Sequence, residues 1–138
     1  MIIGIGIDLI EIDRIQAAIA KTTFLTRVFT PAEQAYCDSR KAGRAASYAA
    51  RFAGKEAVLK ALGTGLTKGT WQDIEILPND LGSPIVQLSG TFARIAAEKA
   101  ISEVFISLTH ARLYAAAQVV CWGGNQNESR HSAGNERN

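Results

Sequence analysis

Glu56 and Lys60 stand four residues apart in the run Arg51-Phe52-Ala53-Gly54-Lys55-Glu56-Ala57-Val58-Leu59-Lys60, which leads to Gly63-Thr64-Gly65. On a helix, positions four apart are neighbours, so an acid and a lysine there can reach one ligand together. A carboxylate holds a hard cation and a lysine neutralises phosphate, so the pair suggests a metal–phosphate site. A second acid, Asp8, interrupts the apolar run Ile2-Ile3-Gly4-Ile5-Gly6-Ile7-Asp8-Leu9-Ile10. A carboxylate in such a strand is costly without a partner. Asp8 and Glu56 account for each other if both hold one cation. Plainer readings stand beside this one. Glu56 could form an ordinary helix ion pair with Lys60, worth about 0.2–0.5 kcal/mol, and Asp8 could be a capping or turn acid before a helix starting at Glu11.

The surroundings of these three residues refine the expectation. On a helical wheel Tyr48, Phe52, Leu59 and Leu62 form the apolar arc, with Glu56 half buried at its flank. Asp8 shares a strand face with Gly4 and Gly6, which predicts open space around its side chain. Gly63-Thr64-Gly65 follows a helix C-terminus, where the dipole disfavours anions. It lacks the lysine and hydroxyl residue of a Walker loop, so Gly63 reads as a helix cap, and Lys60, Lys68 and a metal would have to supply positive charge. Gly4-x-Gly6 is not a dinucleotide fingerprint either, because Leu9 occupies the third glycine position and no helix starts there. His110 ends the strand-like run Val104–Thr109; it is an exposed strand end or, if it faces the site, a donor to a phosphate or base. Arg14, Lys21 and Arg27 bracket the first helical region, as a solvated face or as a dock for an acidic partner.

The elements that must position these residues follow from periodicity and punctuation. Residues 2–10 read as a strand and Glu11 to about Lys21 as a helix. Thr30-Pro31-Ala32-Glu33 opens a second helix with a capping box, which runs to about Arg40. Gly43 breaks it, and a long helix follows from about Ala45 to Leu62. Trp71–Leu77 and Pro84–Leu88 read as strands joined by the turn Asn79–Gly82. A helix opens at Ser89 or Thr91 and reaches about Ala100, and strands Val104–Thr109 and Tyr114–Trp122 complete the pattern. The expected fold is α+β: one domain over residues 1–122, a small antiparallel sheet packed on a long helix, then a flexible polar tail over 123–138 that contains His131.

Composition sets outer limits. The 138 residues are 47% hydrophobic and 20% charged, an ordinary globular balance. A formal charge of +2 does not argue for nucleic acid. No apolar run approaches the roughly 20 residues of a membrane span, and strand-like sequence directly after Met1 leads us to expect no signal peptide. Cys37 and Cys121 lack metal-type spacing and fit a reduced cytoplasmic protein.

In their order and spacing these blocks resemble the holo-acyl-carrier-protein synthases, the short, single-domain 4'-phosphopantetheinyl transferases. The likeness covers about residues 2–121. It rests on Gly4–Ile12, Arg51–Ala57 and Lys60–Gly65, supported by Trp71–Ile76 and Ser107–Ala111. It implies a 4'-phosphopantetheinyl transferase fold and transfer of the phosphopantetheine arm of coenzyme A to a serine of apo acyl carrier protein, releasing adenosine 3',5'-bisphosphate. By the same likeness Asp8 and Glu56 are Mg²⁺ ligands and Lys60 contacts the coenzyme A phosphates. Gly63, Thr64, Gly65, Thr109 and His110 belong to the coenzyme A site. Glu56 or a water on the metal is the base candidate, and Arg14, with Lys21 and Arg27, docks the acidic carrier protein. The family is a homotrimer with active sites between subunits. Two other readings of the bare cluster are a different Mg²⁺-dependent enzyme of nucleotide diphosphates and a non-catalytic module that binds a carrier protein.

Overall fold

A computed structural model describes residues 1–66 and 69–124. Lys68 and residues 125–138, with His131 and most of the expected tail, lie outside the described residues. In chain order the elements are β1 (Ile2–Glu11), α1 (Ile12–Ile19), α2 (Thr22–Val28), α3 (Pro31–Asp38), α4 (Arg44–Leu62), β2 (Ile74–Pro78), β3 (Pro84–Leu88), α5 (Gly90–Glu98), β4 (Ile101–His110) and β5 (Tyr114–Gly123). Strands β1, β5 and β4 form an antiparallel sheet in that order, and β2 and β3 form a separate hairpin.

Helix α4 is the axis of the fold. The sheet packs on one side of it and α1, α3 and β2 pack around the rest, so it is buried on nearly every face rather than along one arc. Small residues make this possible: Ala49, Ala53, Gly54 and Ala57 let neighbours approach its backbone. The closest approach is to β1. A Cβ on Gly4 or Gly6 would run into the carbonyl oxygens of Ala61 and Ala57. The open space expected around Asp8 is therefore absent beside these glycines, because the α4 backbone fills it. Gly63 ends α4 in the left-handed conformation at φ 74°, as the cap reading requires.

The capping box of α3 forms as the sequence predicts. Glu33 N donates to Thr30 Oγ1 at 3.1 Å and Thr30 N donates to Glu33 Oε1 at 2.9 Å. Glu33 is also fully buried, and Lys55 Nζ donates to its Oε1 at 2.7 Å with both side chains 0% exposed. Removing one member of such a pair costs about 3–5 kcal/mol, since the other charge is left stranded.

Three local expectations change. Helix α2 is absent from the sequence reading, because Thr22-Thr23-Phe24-Leu25-Thr26 is rich in poor helix formers; packing of Phe24 on Phe29 and Phe52 overrides propensity. Trp71–Asp73 is a 3-10 turn capped by Thr70, and the strand starts only at Ile74. The domain also runs past residue 122. Gly123 belongs to β5 and Gly124 N donates to Ala100 O, so both belong to the sheet end and not to a tail. No described helix is long and apolar enough to cross a membrane.

Candidate active site

Asp8 reaches the site from the inner face of β1, and Glu56 and Lys60 reach it from α4. The strand and helix meet there because Gly4 and Gly6 let their backbones touch. Lys60 Nζ donates to Asp8 Oδ1 at 3.2 Å and to Ile7 O at 2.9 Å. Both plain readings give way to this arrangement. Among the described residues the Lys60 ion pair is with Asp8, not Glu56, and the N-cap of α1 is Glu11, so Asp8 caps nothing there. The Lys60 side chain is 54% exposed, so its ion pair contributes under about 1 kcal/mol and is easily exchanged for another partner.

Glu56 is the strained member of the set. Burial, and then the charge of Asp8, push its carboxyl above the usual range, against a weaker opposing effect of Lys60. Two carboxylates thus crowd one partly desolvated point, which is what a cation would relieve. Among the described residues no third His, Cys, Asp or Glu joins them. Two carboxylates suit Mg²⁺, which takes few protein ligands and completes its shell with water and phosphate oxygens.

Two hollows meet at this point. A cleft of about 470 Å³ is lined by Asp8, Arg14, Ile15, Phe24, Phe52, Glu56 and Lys60 among others. A second, of about 290 Å³, lies between Glu56, Leu59, Lys60, Gly63, Gly65, Leu66 and Trp71. Glu56 and Lys60 border both. Between them runs an aromatic row that no motif announces: Phe24 on Phe52 at 6.0 Å and Phe52 on Trp71 at 5.4 Å between ring centroids. Another unannounced residue, Lys99, donates to Leu62 O at 2.6 Å and so offsets the negative end of α4 beside the glycine loop. A lone lysine in an α5-to-β4 connection carries no sequence signal for that role.

The remaining expected residues are placed apart. Thr64 is half buried and its Oγ1 donates to Gly65 O at 3.1 Å. Arg14 lines the larger cleft, whereas Lys21 and Arg27 are exposed at the two ends of α2 and do not line it. Thr109 and His110 line a different cleft of about 410 Å³, with Tyr36, Arg40 and Arg51. Within one chain they do not join Asp8 and Glu56.

The family model of the 4'-phosphopantetheinyl transferase superfamily matches residues 4–119, which include all of these positions. The chain belongs to that superfamily, and it is a phosphopantetheinyl transferase. The transferase is 44% identical over 132 residues to the holo-(acyl-carrier-protein) synthase of Desulforudis audaxviator, covering 94% of this chain and 100% of that one. To the same enzyme of Moorella thermoacetica it is 50% identical over 113 residues, 81% of this chain and 88% of the relative. Its fold matches the crystal structure of the Helicobacter pylori holo-(acyl-carrier-protein) synthase in complex with coenzyme A, with a TM-score of 0.75 and 32% identity over 86% of this chain and 99% of the other. The α+β fold expected from the sequence is thus that of a known transferase family.

Proposed function

We propose that the transferase moves the 4'-phosphopantetheine group of coenzyme A to a serine hydroxyl of apo acyl carrier protein. The serine oxygen bonds to the phosphorus that bears the pantetheine, the bond from that phosphorus to the bridging oxygen breaks, and adenosine 3',5'-bisphosphate leaves with the electron pair. The observation that carries this reading is the convergence of Asp8, Glu56 and Lys60 where two hollows meet. A donor can lie in one hollow and an acceptor can enter by the other. Mg²⁺ held by Asp8 and Glu56 would act as a Lewis acid on the pyrophosphate oxygens. Lys60 shares one exchangeable pair with Asp8 and can turn its charge to the leaving phosphate. The serine proton needs an acceptor, and Glu56 or a water held by the metal would take it.

Arg14 stands in the larger cleft beside Glu56 and, with the exposed Lys21 and Arg27, offers positive charge to an acidic carrier protein. The sheet supports a further part of the reading. Its outer face leaves Ile5, Ile7 and Leu9 exposed on β1, beside Phe105 on β4 and Trp122 on β5. Exposed apolar side chains clustered on one sheet face support self-association, and the family likeness supports a homotrimer as the assembly. Thr109 lies in register with Ala116 and Leu9 at the end of that face, where it and His110 can complete the coenzyme A site of a neighbouring copy. Free, buried Cys37 and Cys121 fit a reducing cytoplasm.

Mass spectrometry of apo acyl carrier protein incubated with the chain, coenzyme A and Mg²⁺ tests the reaction. The expected result is a gain of one phosphopantetheine that EDTA abolishes. Nucleotide cleavage without carrier modification, or carrier binding without transfer, would replace the proposal with one of the two rival readings.

A further inference from the structure

Lys55 is a charged residue that the chemistry above does not use. Its Nζ is fully buried and its three N–H groups, one of them shared, reach four oxygens: Val28 O at 2.9 Å, Glu33 Oε1 at 2.7 Å, Trp71 O at 3.0 Å and Ile74 O at 2.6 Å. These oxygens come from the end of α2, the start of α3 and both ends of the turn that carries Trp71. Burying an ammonium ion there is expensive, and a leucine or methionine in its place would fill the same volume but strand the buried charge of Glu33. What the ammonium adds to the apolar packing of these segments is a junction that draws three main-chain carbonyls to one point on α4.

The three carbonyls bear directly on the site. Val28 ends the helix that carries Phe24, and Trp71 is the far member of the row Phe24–Phe52–Trp71. Phe52 lies on α4 one turn before Glu56 and three residues before Lys55. Lys55 therefore ties both outer members of the row to the helix that supplies the row's centre, Glu56 and Lys60. Phe24 and Phe52 line the larger hollow and Trp71 the smaller, and Glu56 borders both. Trp71 itself lines the smaller hollow with Gly63 and Gly65.

We propose that Lys55 is a positioning residue of the transferase. By holding the Val28, Trp71 and Ile74 carbonyls it sets the position of Trp71 in the smaller hollow, which with Gly63 and Gly65 would take coenzyme A, while Asp8, Glu56 and Lys60 are held independently by the β1–α4 contact. The kinetic part of this inference rests on the transfer reaction proposed above.

Two variants separate positioning from plain stability, because both break the same buried ion pair. Lys55→Met releases all three carbonyls. Glu33→Gln removes the pair's negative charge but leaves Lys55 bonded to them. Both are expected to lower Tm. Assayed well below Tm, Lys55→Met should raise KM for coenzyme A at least 10-fold with kcat changed less than 3-fold, and Glu33→Gln should keep KM within 2-fold of wild type. A role in stability alone lowers the folded fraction and hence kcat in both variants, and leaves KM unchanged. If Lys55→Met is too unstable to assay, Lys55→Gln, a shorter neutral donor, replaces it with the same expected order. Hydrogen exchange of the amides at residues 71–75, measured without any substrate, should quicken in the Lys55 variant more than in Glu33→Gln; the Ile76 amide is left out because it donates to Glu33 Oε2. An unchanged KM in the Lys55 variant, an equal rise in both variants, or equal exchange in both would overturn the proposal. If wild type transfers nothing, the reaction assignment fails, while the exchange comparison still judges Lys55.

Discussion

Gly6→Ala should damage the transferase through a single added methyl group. The backbone of Gly6 is not in the left-handed region, so alanine meets no conformational barrier. The added Cβ would instead strike the carbonyl oxygen of Ala57 and the main chain of Ala61, which are helix backbone and cannot rotate aside. Strand β1 and helix α4 must separate by roughly an ångström, and overpacking of this kind costs about 1–3 kcal/mol. Loss of glycine's freedom in the unfolded chain offsets about 0.4–1 kcal/mol of that. Because the atoms struck are fixed helix backbone, the cost falls in the upper half of that range, and the net loss is about 1–2 kcal/mol. At about 3–5 °C per kcal/mol for a chain of this size, Tm should fall by about 3–10 °C. The same separation moves Asp8 away from Glu56 and Lys60, and an ångström of misplacement can lower a rate about 100-fold. Thermal unfolding followed by circular dichroism, with the carrier-protein assay run well below Tm, reads both effects. Gly43→Ala is the control, since the nearest heavy atom to its new Cβ is Arg40 Cβ at 3.8 Å, and its Tm should stay within about 3 °C of wild type. A Gly6→Ala protein with wild-type Tm and full activity would refute the close β1–α4 approach and the account of how the site is assembled.

Other variants probe the site and its surroundings. Glu56→Gln should fold at least as stably as wild type, because it removes a carboxylate that burial and Asp8 both disfavour, yet lose at least about 100-fold in transfer; retained activity would take Glu56 out of the site. The sign of its pH dependence follows from the raised pKa. In metal-free protein Glu56 makes stability fall as pH rises from the ordinary glutamate range through its raised folded value, and a Tm-versus-pH comparison should show that slope removed in Glu56→Gln. Ile7→Glu puts a charge at the middle of the exposed sheet face and should give a monomer in light scattering with little transfer activity; an unchanged assembly would mean that this face is not the interface. Arg14→Glu should raise KM for carrier protein at least about 10-fold, through like-charge repulsion, with KM for coenzyme A within 2-fold. An equal rise in both would show that Arg14 serves the nucleotide side.

The sequence by itself determined the local elements and the chemical types at the site. Thr30-Pro31-Ala32-Glu33 specifies a capping box through contacts three residues apart, and Gly63 specifies a helix end through its freedom at positive φ. Glu56 and Lys60 are fixed on neighbouring turns by helix geometry alone. The order of the blocks was also enough to suggest the transferase family that the comparisons then support. Tertiary structure decided what depends on which elements touch. It paired Lys60 with Asp8 across 52 positions of sequence instead of with Glu56 four residues away, and it filled the space beside Gly4 and Gly6 with the backbone of α4. It made α2 a helix despite poor propensity, because Phe24 finds Phe29 and Phe52 only in the fold. It also buried Lys55 among oxygens from four separate positions in the chain, from Val28 to Ile74. Periodicity carries only short-range information, whereas these contacts are set by the packing of remote segments around one buried helix, and no local pattern encodes them.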